Sequence, residues 1–216
     1  MNNYISKLIQ QGESQHLDFK FQITDSRKIA KTIVAFANTE GGKLLIGVKD
    51  NGVIAGIRTD EEYHMIEAAA QMYCKPEINF AYRTWNIEGK KILEIDVPHS
   101  TSKPVYAQNG DGKWLVYVRV KDQNLLASTI LIKYWQKENS KKGVFIKFTD
   151  TEKMLLDFLK VNPFITVKRF CRLAKISKFK AEKIIVNLLI SDVIEIMMDE
   201  KKVWFRLKDP QDYIEE

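Results

Sequence analysis

The chain is short of the residues from which metal and redox centres are usually built. Its 216 residues include two cysteines, Cys74 and Cys171, and three histidines, His16, His64 and His99. No CxxC pair exists, which excludes a structural zinc site of the usual spacing. Two distant thiols fit free cysteines in a reducing compartment. The scattered histidines read as ordinary surface or core residues. No stretch approaches the roughly 18 apolar residues of a membrane helix. The start, Met1-Asn2-Asn3-Tyr4-Ile5, has no basic segment leading into an apolar run. A cytoplasmic setting without a membrane partner is expected. The phosphate-cradling pattern G-x-x-x-x-G-K-[ST] is missing too. Around Gly42-Lys43, Ala37 takes the place of the first glycine and Leu44 the place of the hydroxyl. ATP is therefore not an expected ligand. Repeats and low-complexity tracts are also lacking.

What is present suits two small domains. Hydrophobic residues make up 45% of the chain, enough for a sizeable core, and the formal net charge is +6. That balance leans modestly toward polyanionic partners.

Tyr4, Ile5, Leu8 and Ile9 recur at helical spacing and predict a short helix ending near Gly12. Leu17, Phe19 and Phe21 then alternate with polar residues, as in a strand. From Ser26 the period becomes helical through Ile29, Ile33, Phe36 and Ala37, with Asp25 or Ser26 as the cap. Gly41-Gly42 stops that helix. Lys43 to Val48 reads as a buried strand, and Asp50-Asn51-Gly52 as a hairpin turn. Further on, the pattern predicts a helix from Glu61 to about Tyr73 and strands over Ile78–Ile87 and Lys91–Val97. A strand pair is expected around Asn109-Gly110-Asp111-Gly112, and a helix from about Ser128 to Lys137 to close the first domain.

Several of these pieces together resemble the Schlafen-AlbA family of DNA-binding domains. They are Glu13 with Leu17-Asp18-Phe19-Lys20, then Ala35-Phe36-Ala37-Asn38-Thr39-Glu40-Gly41-Gly42, then Leu45-Ile46-Gly47-Val48-Lys49-Asp50, and late in the domain Tyr117-Val118-Arg119-Val120. The likeness covers about residues 10 to 130. It implies a mixed α/β (α+β) fold and nucleic-acid binding. Some Schlafen members are RNA endonucleases that use three acidic residues and a divalent metal. Matched residue to residue, those positions fall on Glu13, Asp18 and Asp50. Lys20 lies on the same strand face as Asp18 and is placed to neutralise a phosphate. Carboxylates of this kind would bind Mg²⁺ or Mn²⁺. Two departures stand out: Asp18 is one methylene shorter than the usual Glu, and the chain carries one lobe where those nucleases clamp RNA between two. A homodimer would supply the second. The plainer alternative is that Glu13 ends a helix, Asp18 pairs with Lys20 or another base, and Asp50 is a turn residue.

The second domain has a different rhythm. Residues 138–147 are expected as a linker between residues 1–137 and 148–208, with an acidic tail at 209–216. Three short helices and a terminal hairpin follow in the order of a winged helix-turn-helix. Between Lys168 and Lys183 stand Lys168, Arg169, Arg172, Lys175, Lys178, Lys180 and Lys183 against one acid, Glu182. That net charge equals the +6 of the whole chain. Ser177 is a suitable cap for a recognition helix. Lys178, Lys180 and Lys183 fall in its early turns, and Lys201 and Lys202 at the wing tip. Lysine outnumbers arginine, which suits phosphate contacts better than bidentate base reading. The bland alternative is a solvated face of a packing module.

The reading is a DNA-binding, non-catalytic transcriptional regulator without a cofactor. It would be dimeric and would act on duplex DNA. Its alternative is a divalent-metal-dependent endonuclease acting on RNA through Glu13, Asp18 and Asp50.

Overall fold

The computed structural model describes residues 3–140 and 148–208. The expected linker lies mainly, and the acidic tail at 209–216 wholly, outside the described residues. The chain divides into two compact units, Met1–Ala127 and Ser128–Glu216.

The first unit is built on a mixed four-stranded sheet. Helix α1 (Asn3–Gln11) leads into β1 (Leu17–Lys20). Helix α2 (Ser26–Asn38) then carries the chain to β2 (Gly42–Ile46), parallel to β1. The aspartate cap of α2 is real: the Asp25 side chain accepts from the Arg27 amide at 2.8 Å. After α3 (Glu61–Met72) and β3 (Cys74–Lys75), strands β4 (Ala81–Ile87) and β5 (Lys90–Val97) form an antiparallel hairpin. The strand order is β1-β2-β5-β4.

Alternation along β1 and β2 sends side chains to two cores. Leu17, Phe19, Leu45 and Ile92 pack with Ile5 of α1. Leu44, Ile46, Leu93 and Ile95 pack beneath α2 and α3, against Ile33, Phe36 and Ile66. Asp18, opposite Leu44 in register, faces this second, larger core.

The chain then adds β6 (Tyr106–Gln108), β7 (Trp114–Leu115), β8 (Tyr117–Val120) and β9 (Gln123–Leu126). The expected pair around Asn109–Gly112 forms between β6 and β7. Strand β8 pairs instead with β9, a hairpin the sequence reading did not contain.

The Gly41-Gly42 turn is sterically demanded. Gly41 has φ +76°, and a Cβ there would stand 2.8 Å from the Val97 carbonyl oxygen. A Cβ on Gly42 would stand 2.5 Å from the Phe36 ring. Any side chain at these positions collides with backbone or core.

The second unit begins one helix earlier than the sequence suggested. Helix α4 (Thr129–Glu138) is capped by Ser128, whose hydroxyl accepts from the Leu131 amide. Its Ile130 belongs to the second unit's core, with Leu155, Phe170, Ile185 and Phe205. The helix expected to close the first domain thus packs in the second, and Glu138, assigned to the linker, is helical. Helices α5 (Asp150–Val161), α6 (Val167–Ala174) and α7 (Lys178–Ile190) follow, then the antiparallel hairpin of β10 (Ile194–Met198) and β11 (Val203–Leu207). Thr149 and Glu152 form a reciprocal capping box at the start of α5. Ile165 and Phe205 exchange two backbone hydrogen bonds of 2.8 Å, adding a short third rung to the hairpin. Among the described residues no helix is long and apolar enough to cross a membrane.

Candidate functional site

The structure gathers some of the candidate carboxylates and separates others. Asp18 is buried. Its Oδ1 lies 3.0 Å from Arg119 Nη2 and its Oδ2 2.5 Å from Lys20 Nζ. The second contact is an ion pair without hydrogen-bond direction, since Oδ2 lacks an aligned donor. Lys20 instead donates to the Phe19 carbonyl oxygen at 2.7 Å. Glu13 accepts from the Phe19 amide at 2.9 Å and lies against Asp18. Burial raises its pKa. The Phe19 amide opposes that shift, the charge of Asp18 adds to it and that of Lys20 opposes it.

Asp50 is exposed in the turn that follows Val48. Among the described residues no three His, Cys, Asp or Glu side chains are grouped so as to hold a metal ion. As placed, Glu13, Asp18 and Asp50 do not fit a divalent-cation site, because the oxygens of Asp18 face two cationic side chains.

The cation facing Asp18 is the residue that sequence reading undervalued. Arg119 on β8 is almost wholly buried. It donates to the Ser14 and Leu17 carbonyl oxygens, each at 3.1 Å, and to Asn124 Oδ1 at 3.0 Å. Its guanidinium lies 5.1 Å above the Phe36 ring. Its amide donates to Thr39 Oγ1 at 2.9 Å. Beside it, Asn38 Nδ2 donates to the carbonyl oxygens of Val105 and Tyr117, and Asn38 Oδ1 accepts from the Val105 amide. The polar residues of the Asn-Thr and Tyr-x-Arg segments therefore tie α2, β1 and β8 together. Fixing buried backbone groups is a structural task. The signal for it was two polar residues, Asn38 and Thr39, directly after an unbroken apolar stretch.

A second buried acid escaped the sequence reading. Glu94 on β5 accepts from Tyr4 Oη and Trp85 Nε1, both at 2.7 Å, and lies 3.1 Å from Lys43 Nζ. Burial disfavours the Lys43 ammonium. Hydrogen bonds to Asp96 and Glu94 outweigh it, and the pKa is raised.

In the second unit all nine basic candidates are exposed: Lys168, Arg169, Arg172, Lys175, Lys178, Lys180, Lys183, Lys201 and Lys202. Three lie on α6. Lys175, in the left-handed region at φ 51°, makes the sharp turn into α7. Ser177 caps α7 by accepting from the Lys180 amide. Core residues Ala181, Ile184, Ile185 and Leu188 anchor one side of α7. Helix α4 lies along another side, where Lys133 Nζ reaches Glu182 Oε2 at 2.7 Å and Lys137 donates to Asn187 Oδ1. The exposed residues of α7 are confined to its first two turns: Lys178, Phe179, Lys180 and Lys183. Lys201 and Lys202 sit in the β10–β11 turn, where both amides donate to Asp199 Oδ1. Glu182 Oε1 stands 3.7 Å from Lys178 Nζ, and Asp199 lies beside Lys201 and Lys202.

Comparison with known proteins bears on the first unit. A search of curated proteins returns no match. Among solved structures, the DIP2311 protein from Corynebacterium diphtheriae is 21% identical, with a TM-score of 0.40 over 60% of this chain and 25% of that one. The chain thus spans about a quarter of that protein's length. The N-terminal domain of a protein from Nitrosomonas europaea, named as ATP-dependent DNA helicase RecG-related, is 21% identical. It has a TM-score of 0.39 over 58% of this chain and 95% of that one. The family model described as Schlafen, AlbA_2 matches residues 13–128, more than half of the chain and nearly the whole of the first unit. On that match the chain belongs to the Schlafen, AlbA_2 family.

Proposed function

We propose that this protein binds nucleic acid, with duplex DNA as the target, and that it grips the duplex through its second unit as a non-catalytic regulator of transcription. The observation that carries the reading is the exposure of all nine basic side chains on α6, its turn, the first half of α7 and the hairpin turn. Family membership of the first unit points the same way. The order of three helices and a hairpin, with Ile165 bridging Phe205, is the order of a winged helix-turn-helix. On that reading α7 is the recognition helix and the Lys201–Lys202 turn is the wing.

The confinement of exposed side chains to the first two turns of α7 makes its amino-terminal end the part that meets the groove. Lysines there neutralise phosphates and release counterions. A homodimer would place two such α7 ends on neighbouring turns of the duplex, and a cytoplasmic setting fits this role.

The test is a duplex-binding titration of the whole chain at several salt concentrations. Wild-type affinity should fall with salt, with a log–log slope of about −0.9 per phosphate neutralised. Replacing Lys178, Lys180 and Lys183 together by Glu should abolish binding while leaving the circular dichroism spectrum unchanged, because all three side chains are exposed. Equal binding by the triple variant would refute the assignment.

A further inference from the structure

Helices α4 and α7 border an open cleft of about 370 Å³. Its α4 wall carries Lys133 and Lys137. Its α7 wall carries Phe179, Lys183, Val186 and Asn187. The volume lies in the range of small-ligand sites.

Two features of the lining go together. The first is surplus positive charge. Lys133 is matched by Glu182 at 2.7 Å. Lys137 is held to the neutral amide of Asn187, and its pKa is lowered by burial and by the charge of Lys183. Two like charges thus face one opening, and an anion placed between them would relieve their repulsion. The second feature is an apolar ring without a core to join. Phe179 is 74% exposed on the wall of the cleft, and Val186 beside it is buried. Lys133 Nζ lies 5.8 Å over one face of that ring, and burying the other under a flat partner is favourable.

We propose that the α4–α7 cleft binds a nucleotide unit, with its phosphate between Lys137 and Lys183 and its base against Phe179. The ligand chemistry is a phosphate ester joined to a planar ring, either free or as one residue of a single strand. This site goes beyond the duplex-binding reading and shares Phe179 and Lys183, on the exposed end of α7, with it.

The experiment is a nitrogen–proton correlation titration of the whole chain with adenosine 5′-monophosphate, adenosine, inorganic phosphate and an oligothymidylate strand. Saturable shifts of amides on α4 and α7 are expected with the monophosphate or the strand. Adenosine and phosphate alone should bind at least about tenfold more weakly. Whichever of the monophosphate and the strand saturates at the lower concentration identifies the source. Phe179→Ala and Lys137→Gln should each weaken binding about tenfold. Lys137 lies on α4, outside the end of α7 that meets the duplex, so duplex affinity in Lys137→Gln should match wild type, and each reading can fail without the other. Failure of both nucleotide probes to saturate would overturn the proposal. So would a Phe179→Ala variant that binds them as tightly as wild type, since phosphate attraction alone would then account for the shifts.

Discussion

Arg119 Nη2 stands 3.0 Å from Asp18 Oδ1, and both side chains are sealed from water at 1% and 4% exposure. A buried pair of this kind is expensive to assemble, because two ions lose their hydration. Here the rest of the guanidinium is satisfied by Ser14, Leu17 and Asn124. The pair therefore works as a fastener between the first strand and the late strand β8, segments about a hundred residues apart.

Removing one half of the pair should be costly. Arg119→Met takes from the buried Asp18 carboxylate the buried one of its two cations, leaving Lys20, and removes one donor from each of the Ser14 and Leu17 carbonyl oxygens. Urea unfolding should show a loss of about 3–5 kcal/mol. Adding Asp18→Asn to that variant should recover part of the loss, because the buried charge that Lys20 alone must balance is gone. A loss below about 1 kcal/mol for Arg119→Met would show that the pair carries no more than an exposed one.

Glu13 should make stability depend on pH in a defined direction. Its pKa is raised in the folded protein, first by burial. The folded state therefore holds the proton more tightly than the unfolded chain. The stability from this group is fully present below the unfolded glutamate value, roughly 4.3, and is lost as pH rises through the raised folded value. Glu13→Gln keeps an acceptor for the Phe19 amide and removes the titration. Relative to wild type, this variant should gain stability as pH climbs through that window and then hold a constant advantage. Parallel wild-type and variant curves from thermal melts across the window would contradict this.

The two thiols should differ in reactivity. Burial pushes the Cys74 thiol up to about 12, so almost none is thiolate near neutrality. Cys171 is only partly buried. A thiol reagent at pH 8 under native conditions should label Cys171 first, and Cys74 only when the chain unfolds. Mass spectrometry of digested protein would check this. Early labelling of Cys74 would mean that the core beneath α3 opens readily.

Much of the fold was readable because local signals agreed with one another. Asp25 before an apolar 3.6-residue period, the Gly41-Gly42 stop and the alternation of Leu17 and Phe19 fixed the first strand, helix and turn. In the second unit, Ser177 caps α7 where the pattern begins. Three features were not readable. The β8–β9 hairpin turns at Lys121, which adopts φ 56° without the glycine that usually announces such a turn. The side on which α4 would pack could not be inferred, because an amphipathic helix shows that it has an apolar face but not which partner covers it. The distant partner of Asp18 also escaped the reading. The family resemblance set it with Glu13 and Asp50 around an ion and the plainer alternative paired it with Lys20 or another base; the structure pairs it with Lys20 and with Arg119, about a hundred residues on. Motif spacing carries no information about such a distant partner.

The allegiance of α4 decides where this polypeptide can be divided. A cut within 138–147, the place suggested by polar composition, would strip α4 from its neighbours, leaving Val186 bare on one fragment and Ile130 on the other. Both halves would become sticky and prone to precipitate. Severing after Ala127, which still donates its amide to the Val116 carbonyl oxygen, cuts through neither interior and should yield two well-behaved pieces for separate study.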